Sequence, residues 1–302
     1  MFDFDSLKKE RALVMGIINV TPDSFSDGGD SYFAEAAFQN ALRMQSEGAD
    51  IIDIGGCSTA PSNKPASLQE ELARLATVFP LLPDNLSVPV SVDTFRPEAA
   101  RFALEHGAVI INDESGVFDP AMASLVKEFG AGWVVMHTGA KESESAGGYI
   151  GRVAAGAASF LAVTGIRGRA FASQMEEEYP EGVTADVLAF FKKMRKKALD
   201  FGINEKQLCY DYGIGFGKTR EDDAALLRQT ALFSDYKPLL VGVSRKRIIG
   251  AATLRSVPAE RVAGSVAAEA VAAYFGADII RVHDVAEAVD AANVAAYIKG
   301  RD

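Results

Sequence analysis

Asp93, Asn112, Asp211, Lys246, Arg281 and His283 all stand where short apolar runs of the chain give out, and eight runs end in this way. Asn19 closes the first, Asp53 the second, Asp93-Thr94 the third, Asn112-Asp113 the fourth and Met136-His137 the fifth. Asp211 closes the sixth, Ser244-Arg245-Lys246 the seventh and Arg281-Val282-His283-Asp284 the eighth. Buried polar groups are costly unless each meets a partner or a ligand. Carboxylates such as Asp93 and Asp211 accept paired N–H groups, and Asn112 can both donate and accept, which suits a planar heterocycle with a guanidine-like edge. Arg245, Lys246, Arg281 and His283 carry the donors that a phosphate needs. Asn19 offers an oxygen that could help hold Mg²⁺ beside that phosphate. Residue types alone therefore point to a phosphorylated nitrogen heterocycle as substrate.

Positioning these groups needs eight strands. The runs at 12–20, 50–56, 88–94, 108–114, 132–138, 208–214, 238–244 and 278–284 are mostly continuous in Val and Ile, the pattern of strands buried on both faces of a parallel sheet. Helical patterns lie between or after them at 33–47, 68–82, 97–106, 119–129, 186–201, 222–232, 258–275 and 285–298. Several end in a glycine just before the next strand. Eight β-then-α units without a linker predict a single (β/α)8 barrel domain over 1–302, with a doubly wound open sheet as the alternative. In such a barrel the C-terminal ends of the strands build the active site, and the ends of strands seven and eight commonly hold phosphate. The connection between strands five and six is far longer than one crossover needs. Its stretch 145–178 reads as an insertion at the barrel mouth, either a lid, a subunit contact or a plain surface loop.

Other features carry less. His106 reads as a helix-terminus residue, and His137 as either a core or a site residue. The stretch Gly213-Ile214-Gly215-Phe216-Gly217-Lys218-Thr219 fails both the phosphate-loop and the dinucleotide spacing. The basic run 192–197 reads as a solvated helix face. Lys and Arg number 31 against 41 Asp and Glu, a net charge of −10, which argues against a nucleic-acid partner. Two distant cysteines, Cys57 and Cys209, make neither a disulfide framework nor a zinc site. No apolar run is long enough to span a membrane, and the first residues lack a signal pattern, so a cytoplasmic protein is expected.

The segments MGIINVTPDSFSDGG, DIIDIGG, SVDT, IND, VVMH, DYGIGFGKT, VGVSRK and RVHDV follow one another in the order and spacing of dihydropteroate synthases, and the chain resembles that family over nearly its whole length. The resemblance implies a (β/α)8 barrel that joins para-aminobenzoate to the pyrophosphate ester of hydroxymethyl-dihydropterin. Its products are dihydropteroate, in folate biosynthesis, and pyrophosphate. It implies a pterin pocket of Asp93, Asn112, Met136, Asp211 and Lys246. Pyrophosphate and Mg²⁺ would be handled by Asn19, Arg281 and His283, with Asn19 the metal ligand. Phe216 and Lys246 would wall the para-aminobenzoate site, with Ser58 and Thr59 on a second loop over it. Asn19, Asp93, Lys246, Arg281 and His283 would carry catalysis. It further implies a sulfonamide target and a homodimer formed through late helices such as 262–274. The chain departs from the family pattern at Cys57, where glutamate is usual, and at Ala60, where arginine is usual. Tyr212 replaces a proline and Arg247 a common serine. The lost arginine removes a bidentate pyrophosphate donor, and Arg152, Arg167 or Arg169 of the insertion could stand in for it. Two rival readings follow: a pterin-binding paralogue without synthase activity, and a corrinoid-type pterin-binding methyltransferase domain. The intact SRK and RVHDV segments argue against the second, because a methyl carrier has no pyrophosphate to hold.

Overall fold

The computed structural model describes residues 1–20, 30–57, 66–82, 85–139 and 182–300. Eight parallel strands close on themselves: β1 (Leu13–Asn19), β2 (Ile51–Gly55), β3 (Val90–Asp93), β4 (Ile110–Asp113), β5 (Gly132–Met136), β6 (Leu208–Asp211), β7 (Leu239–Val241) and β8 (Ile279–Val282). Strand β8 pairs with both β7 and β1, so no edge is left and the open-sheet alternative falls. Helices α1 (Asp30–Ser46), α2 (Leu68–Val78), α3 (Pro97–Glu105), α4 (Pro120–Phe129), α5 (Val183–Phe201), α6 (Arg220–Arg228), α7 (Arg247–Thr253), α8 (Val262–Phe275) and α9 (Val285–Lys299) follow the strands.

The side-chain period of two along each strand sorts the sequence into layers. Leu13, Met15, Ile51, Ile110, Val134, Cys209, Leu240 and Ile279 fill the lower barrel, and Phe4 of the N-terminal turn packs with them. The residues between them, such as Val14, Ile52, Ile111, Trp133, Tyr210, Val241 and Ile280, belong to the larger core shared with the helices. Two residues beyond the inner layer come Asp53, Asn112, Met136, Asp211 and Arg281. The register that buries the barrel interior is thus the register that delivers the polar groups to its mouth.

Local signals set the helices. Ser67 with Glu70 and Thr219 with Asp222 form reciprocal caps at the starts of α2 and α6. Helix α5 stops at Gly202, whose φ of 92° an L side chain would resist. Three expected helical spans are divided by 3-10 turns. The run 68–82 becomes α2 plus a 3-10 turn (Phe79–Leu81), 222–232 becomes α6 plus a separate 3-10 turn (Thr230–Phe233), and 258–275 becomes a 3-10 turn (Pro258–Arg261) followed by α8. Helix α7, only seven residues long, had no periodic signal to announce it. His106 caps α3 as expected, its ring 2.7 Å from the Phe102 carbonyl oxygen. Among the described residues no helix is long and apolar enough to cross a membrane.

Candidate active site

Arg281 reaches from β8 across the barrel mouth. Its Nε donates to Asp53 Oδ2 at 2.6 Å and its Nη2 to Asp93 Oδ2 at 2.5 Å. Its Nη1 lies 3.7 Å from Glu114 Oε1. Asn112 donates from Nδ2 to the same Asp53 oxygen at 3.0 Å. The other Asp53 oxygen is buried with no hydrogen-bond partner among the described residues. Gly55 makes room at the end of β2: a Cβ there would stand 3.5 Å from Asp93 Oδ2 and 3.6 Å from Asn19 Oδ1. The Asn19 and Asp93 oxygens thus both flank the end of β2.

Lys246 and Asp211 lie on the other side of the mouth. Lys246 Nζ donates to the Ile214 carbonyl oxygen at 2.7 Å and sits 4.7 Å from the centre of the Phe216 ring, a cation–π distance. Gly242, two residues past Leu240, sits between the cations. A Cβ there would meet Lys246 Nζ at 3.6 Å and Arg281 Cβ at 3.8 Å. The loop after β6 is tightly tied. Gly213 donates to Asp211 Oδ1 at 2.7 Å, and with φ of 66° it passes so close to His137 that a Cβ would stand 2.1 Å from that carbonyl oxygen. Lys218, buried, donates to the carbonyl oxygens of Gly213 (2.9 Å), His137 (3.0 Å) and Phe216 (3.2 Å).

The electrostatics follow from burying four acids, Asp53, Asp93, Glu114 and Asp211, with two mouth cations. Burial, then the Glu114 charge, pushes the Asp93 carboxyl well above its ordinary range, and Arg281 only partly pulls it back. Burial likewise raises Asp211 against the opposing pull of Lys246. Burial works against the Arg281 charge, but Asp53, Asp93 and Glu114 outweigh it and hold the guanidinium above its usual range. Lys246 is lowered by burial, with Asp211 and Glu114 opposing. Lys218 is lowered to about 7 by burial, with Asp223 opposing.

The strand-end residues named from sequence divide into two groups. Asp93, Asn112, Asp211, Lys246 and Arg281 form the charged ring, with Met136 buried beneath it on β5 and Asn19 beside Asp93. His283 lies beside them. Its backbone N–H donates to Ser244 Oγ at 3.2 Å, and its Nδ1 is buried without a partner among the described residues. Burial, then Arg245 and Arg281, lowers its pKa to about 4, so the imidazole meets a ligand as a neutral group rather than as a cation. Asp113 faces outward, accepting from Trp133 Nε1 at 3.2 Å. His137 is a core residue, its ring edge-on to Phe190. Arg245, expected at the phosphate, is instead paired through two nitrogens with Asp284. Ser58 and Thr59 lie outside the described residues, as do Ala60 and the insertion 145–178. Cys57 is buried with Ala66 and Phe95, and burial raises its thiol.

The sequence marks Asp53 only as a strand end and gives Glu114 and Lys218 no role at the mouth. Glu114 had a signal: it stands two residues beyond Asn112, on the same side of an extended chain. Asp53 had the same one, two residues after Ile51.

The pterin binding enzyme family model matches residues 15–283. The dihydropteroate synthase of Synechocystis sp. is 38% identical over 278 residues, which cover 91% of this chain and 86% of that protein. The Xanthomonas albilineans dihydropteroate synthase with 4-aminobenzoic acid superposes with a TM-score of 0.79 at 38% identity, covering 96% of this chain and 94% of that one. The same enzyme in complex with 7,8-dihydropteroate gives a TM-score of 0.77 at 36% identity, covering 97% and 96%. The chain belongs to the dihydropteroate synthase family. Within that family its barrel mouth has acids on β2, β3 and β6 and just past β4, and cations after β7 and on β8.

Proposed function

We infer that the protein is a dihydropteroate synthase: it joins para-aminobenzoate to hydroxymethyl-dihydropterin pyrophosphate and releases pyrophosphate. The observation that carries this is Arg281, which spans the mouth between the acids of β2 and β3 and stands beside Lys246. Asp211 and Asp93, with Asn112, would accept and donate along the hydrogen-bonding edge of the pterin, above Met136. Lys246 and Phe216, with Ser58 and Thr59, would form the para-aminobenzoate wall. Arg281, neutral His283 and Asn19 would receive the pyrophosphate. As the C–O bond to pyrophosphate breaks, positive charge grows on the pterin methylene, and the acid-rich side of the mouth stabilises it. The neutral arylamine attacks that carbon, the C–N bond forms as the C–O bond breaks, and the arylamine's proton passes to the departing pyrophosphate or to water. Positioning and electrostatics do the work, with no strong base required.

Mg²⁺ fits the donors present. Asn19 Oδ1 and Asp93 Oδ2 both flank Gly55, and hard oxygen ligands suit this ion. Among the described residues no group of three or more His, Cys, Asp or Glu could hold a metal alone, which accords with an ion that takes most of its ligands from phosphate and water. Bound at Asn19, it would neutralise the leaving pyrophosphate. A homodimer through the late helices is supported by Val271, Tyr274 and Phe275 of α8 and Val294, Tyr297 and Ile298 of α9, all exposed. Both cysteines are free, in keeping with a cytoplasmic setting. The test is pyrophosphate release by the purified protein from the pterin pyrophosphate, with and without para-aminobenzoate. Release that depends on the arylamine supports the reading; none above background refutes it.

A further inference from the structure

The three nitrogens of the Arg281 guanidinium face three carboxylates on three successive strands or strand ends, and the three contacts are unequal. Asp53 and Asp93 take Nε and Nη2 as hydrogen bonds at 2.6 and 2.5 Å. Glu114 faces Nη1 at 3.7 Å, an ion-pair separation longer than a hydrogen bond. An anion that reaches Arg281 from the β4 side must approach this looser corner. There it meets Glu114, which is 4% exposed and held in the wall beyond Asn112. Glu114 also acts electrostatically on Asp93, Asp211 and Lys246, so its charge is felt across the heterocycle side of the mouth.

A substrate with a heterocycle at one end and a pyrophosphate at the other can enter such a ring in two polarities, because Lys246 and Arg281 are neighbours and either could attract the phosphates. We propose that Glu114 is a specificity-determining residue that keeps anions off the β4 side of Arg281, so that the pyrophosphate ester binds in one polarity only. This rests on the synthase reading for the identity of the ester, although the repulsion itself does not. Two like charges held within about 4 Å in a partly desolvated wall repel strongly. Removing one of them should therefore tighten anion binding while weakening a ligand that offers only N–H donors. Specificity gained by repelling the wrong group is a general device.

The test is calorimetric titration of the whole protein, in Mg²⁺ buffer, with two probes: inorganic pyrophosphate, and 6-hydroxymethylpterin as the heterocycle without phosphates. Glu114→Gln keeps the shape and removes the charge, and Glu114→Ala removes both. Either should bind pyrophosphate roughly tenfold tighter than the wild type and the pterin more weakly. Glu114→Asp, which keeps the charge, should stay near the wild type for pyrophosphate. A space-filling role would make the Gln variant behave like the wild type and the Ala variant differ. Unchanged or weaker pyrophosphate binding in both charge-removing variants, with melting temperatures that show them folded, overturns the proposal. These titrations need no turnover. If the wild type shows no arylamine-dependent pyrophosphate release, the synthase reading fails, while the role of Glu114 stands or falls on the pyrophosphate affinities alone.

Discussion

Glu269→Gln should stabilise the protein at alkaline pH and leave it nearly unchanged at pH 5. Glu269 is 1% exposed on the inner face of α8, and no hydrogen bond of ordinary geometry reaches either carboxylate oxygen from the described residues. Burial raises its pKa from 4.5 to about 8. Ser244 and Arg245 pull it back, and Asp284 and Glu287 add to the rise. The folded state thus holds a proton that the unfolded chain gives up near 4.5. Stability is unaffected below that value, falls as pH rises through the window from 4.5 to 8, and levels off above it. Each pH unit of that window costs up to about 1.4 kcal/mol, so the ceiling above pH 8 is on the order of 5 kcal/mol. Glutamine is isosteric and cannot ionise, so the variant escapes the penalty. The assay is the urea-unfolding midpoint of both proteins at intervals from pH 5 to 9. Other buried groups titrate in this range, Asp113 and Asp223 near 6 and Lys218 near 7, but they are common to both proteins and cancel in the difference. The two curves should lie within about 1 kcal/mol of each other at pH 5 and diverge steadily to pH 8. Parallel curves across the range would refute the claim that Glu269 is buried as an uncharged acid.

Further outcomes follow from single contacts. Asp93→Asn turns an acceptor of paired N–H groups into a partial donor and breaks one Arg281 bond, so pterin affinity, read by fluorescence titration, should fall about ten- to a hundredfold. Lys218→Met removes two bonds that brace the Gly213–Phe216 turn from within and one that ties it to His137 just past β5, and should raise the KM for para-aminobenzoate several-fold while moving the KM for the pterin ester less. Tyr297 is 89% exposed and Ile298 65% exposed, and if they belong to the proposed dimer face, replacing both with glutamate should yield monomers by light scattering without loss of helix content.

Much of the barrel was legible because a parallel strand buried on both faces writes itself as a continuous Val/Ile run, as at Leu13–Asn19 and Ile51–Gly55. The mouth was legible because the same two-residue period carries Ile110 to Asn112 and Cys209 to Asp211. That period, followed one step further, reaches Glu114, but the apolar run has ended there and the residue looks like loop. Arg245 could not be read correctly, since its partner Asp284 lies 39 residues away. Lys218 sat in a stretch judged by its failure as a phosphate loop, whereas its function is to satisfy three carbonyl oxygens turned inward by a chain of glycines. The neutrality of His283 depends on burial beside two arginines, which spacing does not encode.

The most direct test of the account is a crystal structure of the protein with the pterin pyrophosphate bound. The ring edge should lie against Asp93, Asn112 and Asp211, with the phosphates toward Asn19, Arg281 and His283. A ring seated elsewhere, or phosphates lodged beside Asp211 and Glu114, would contradict it.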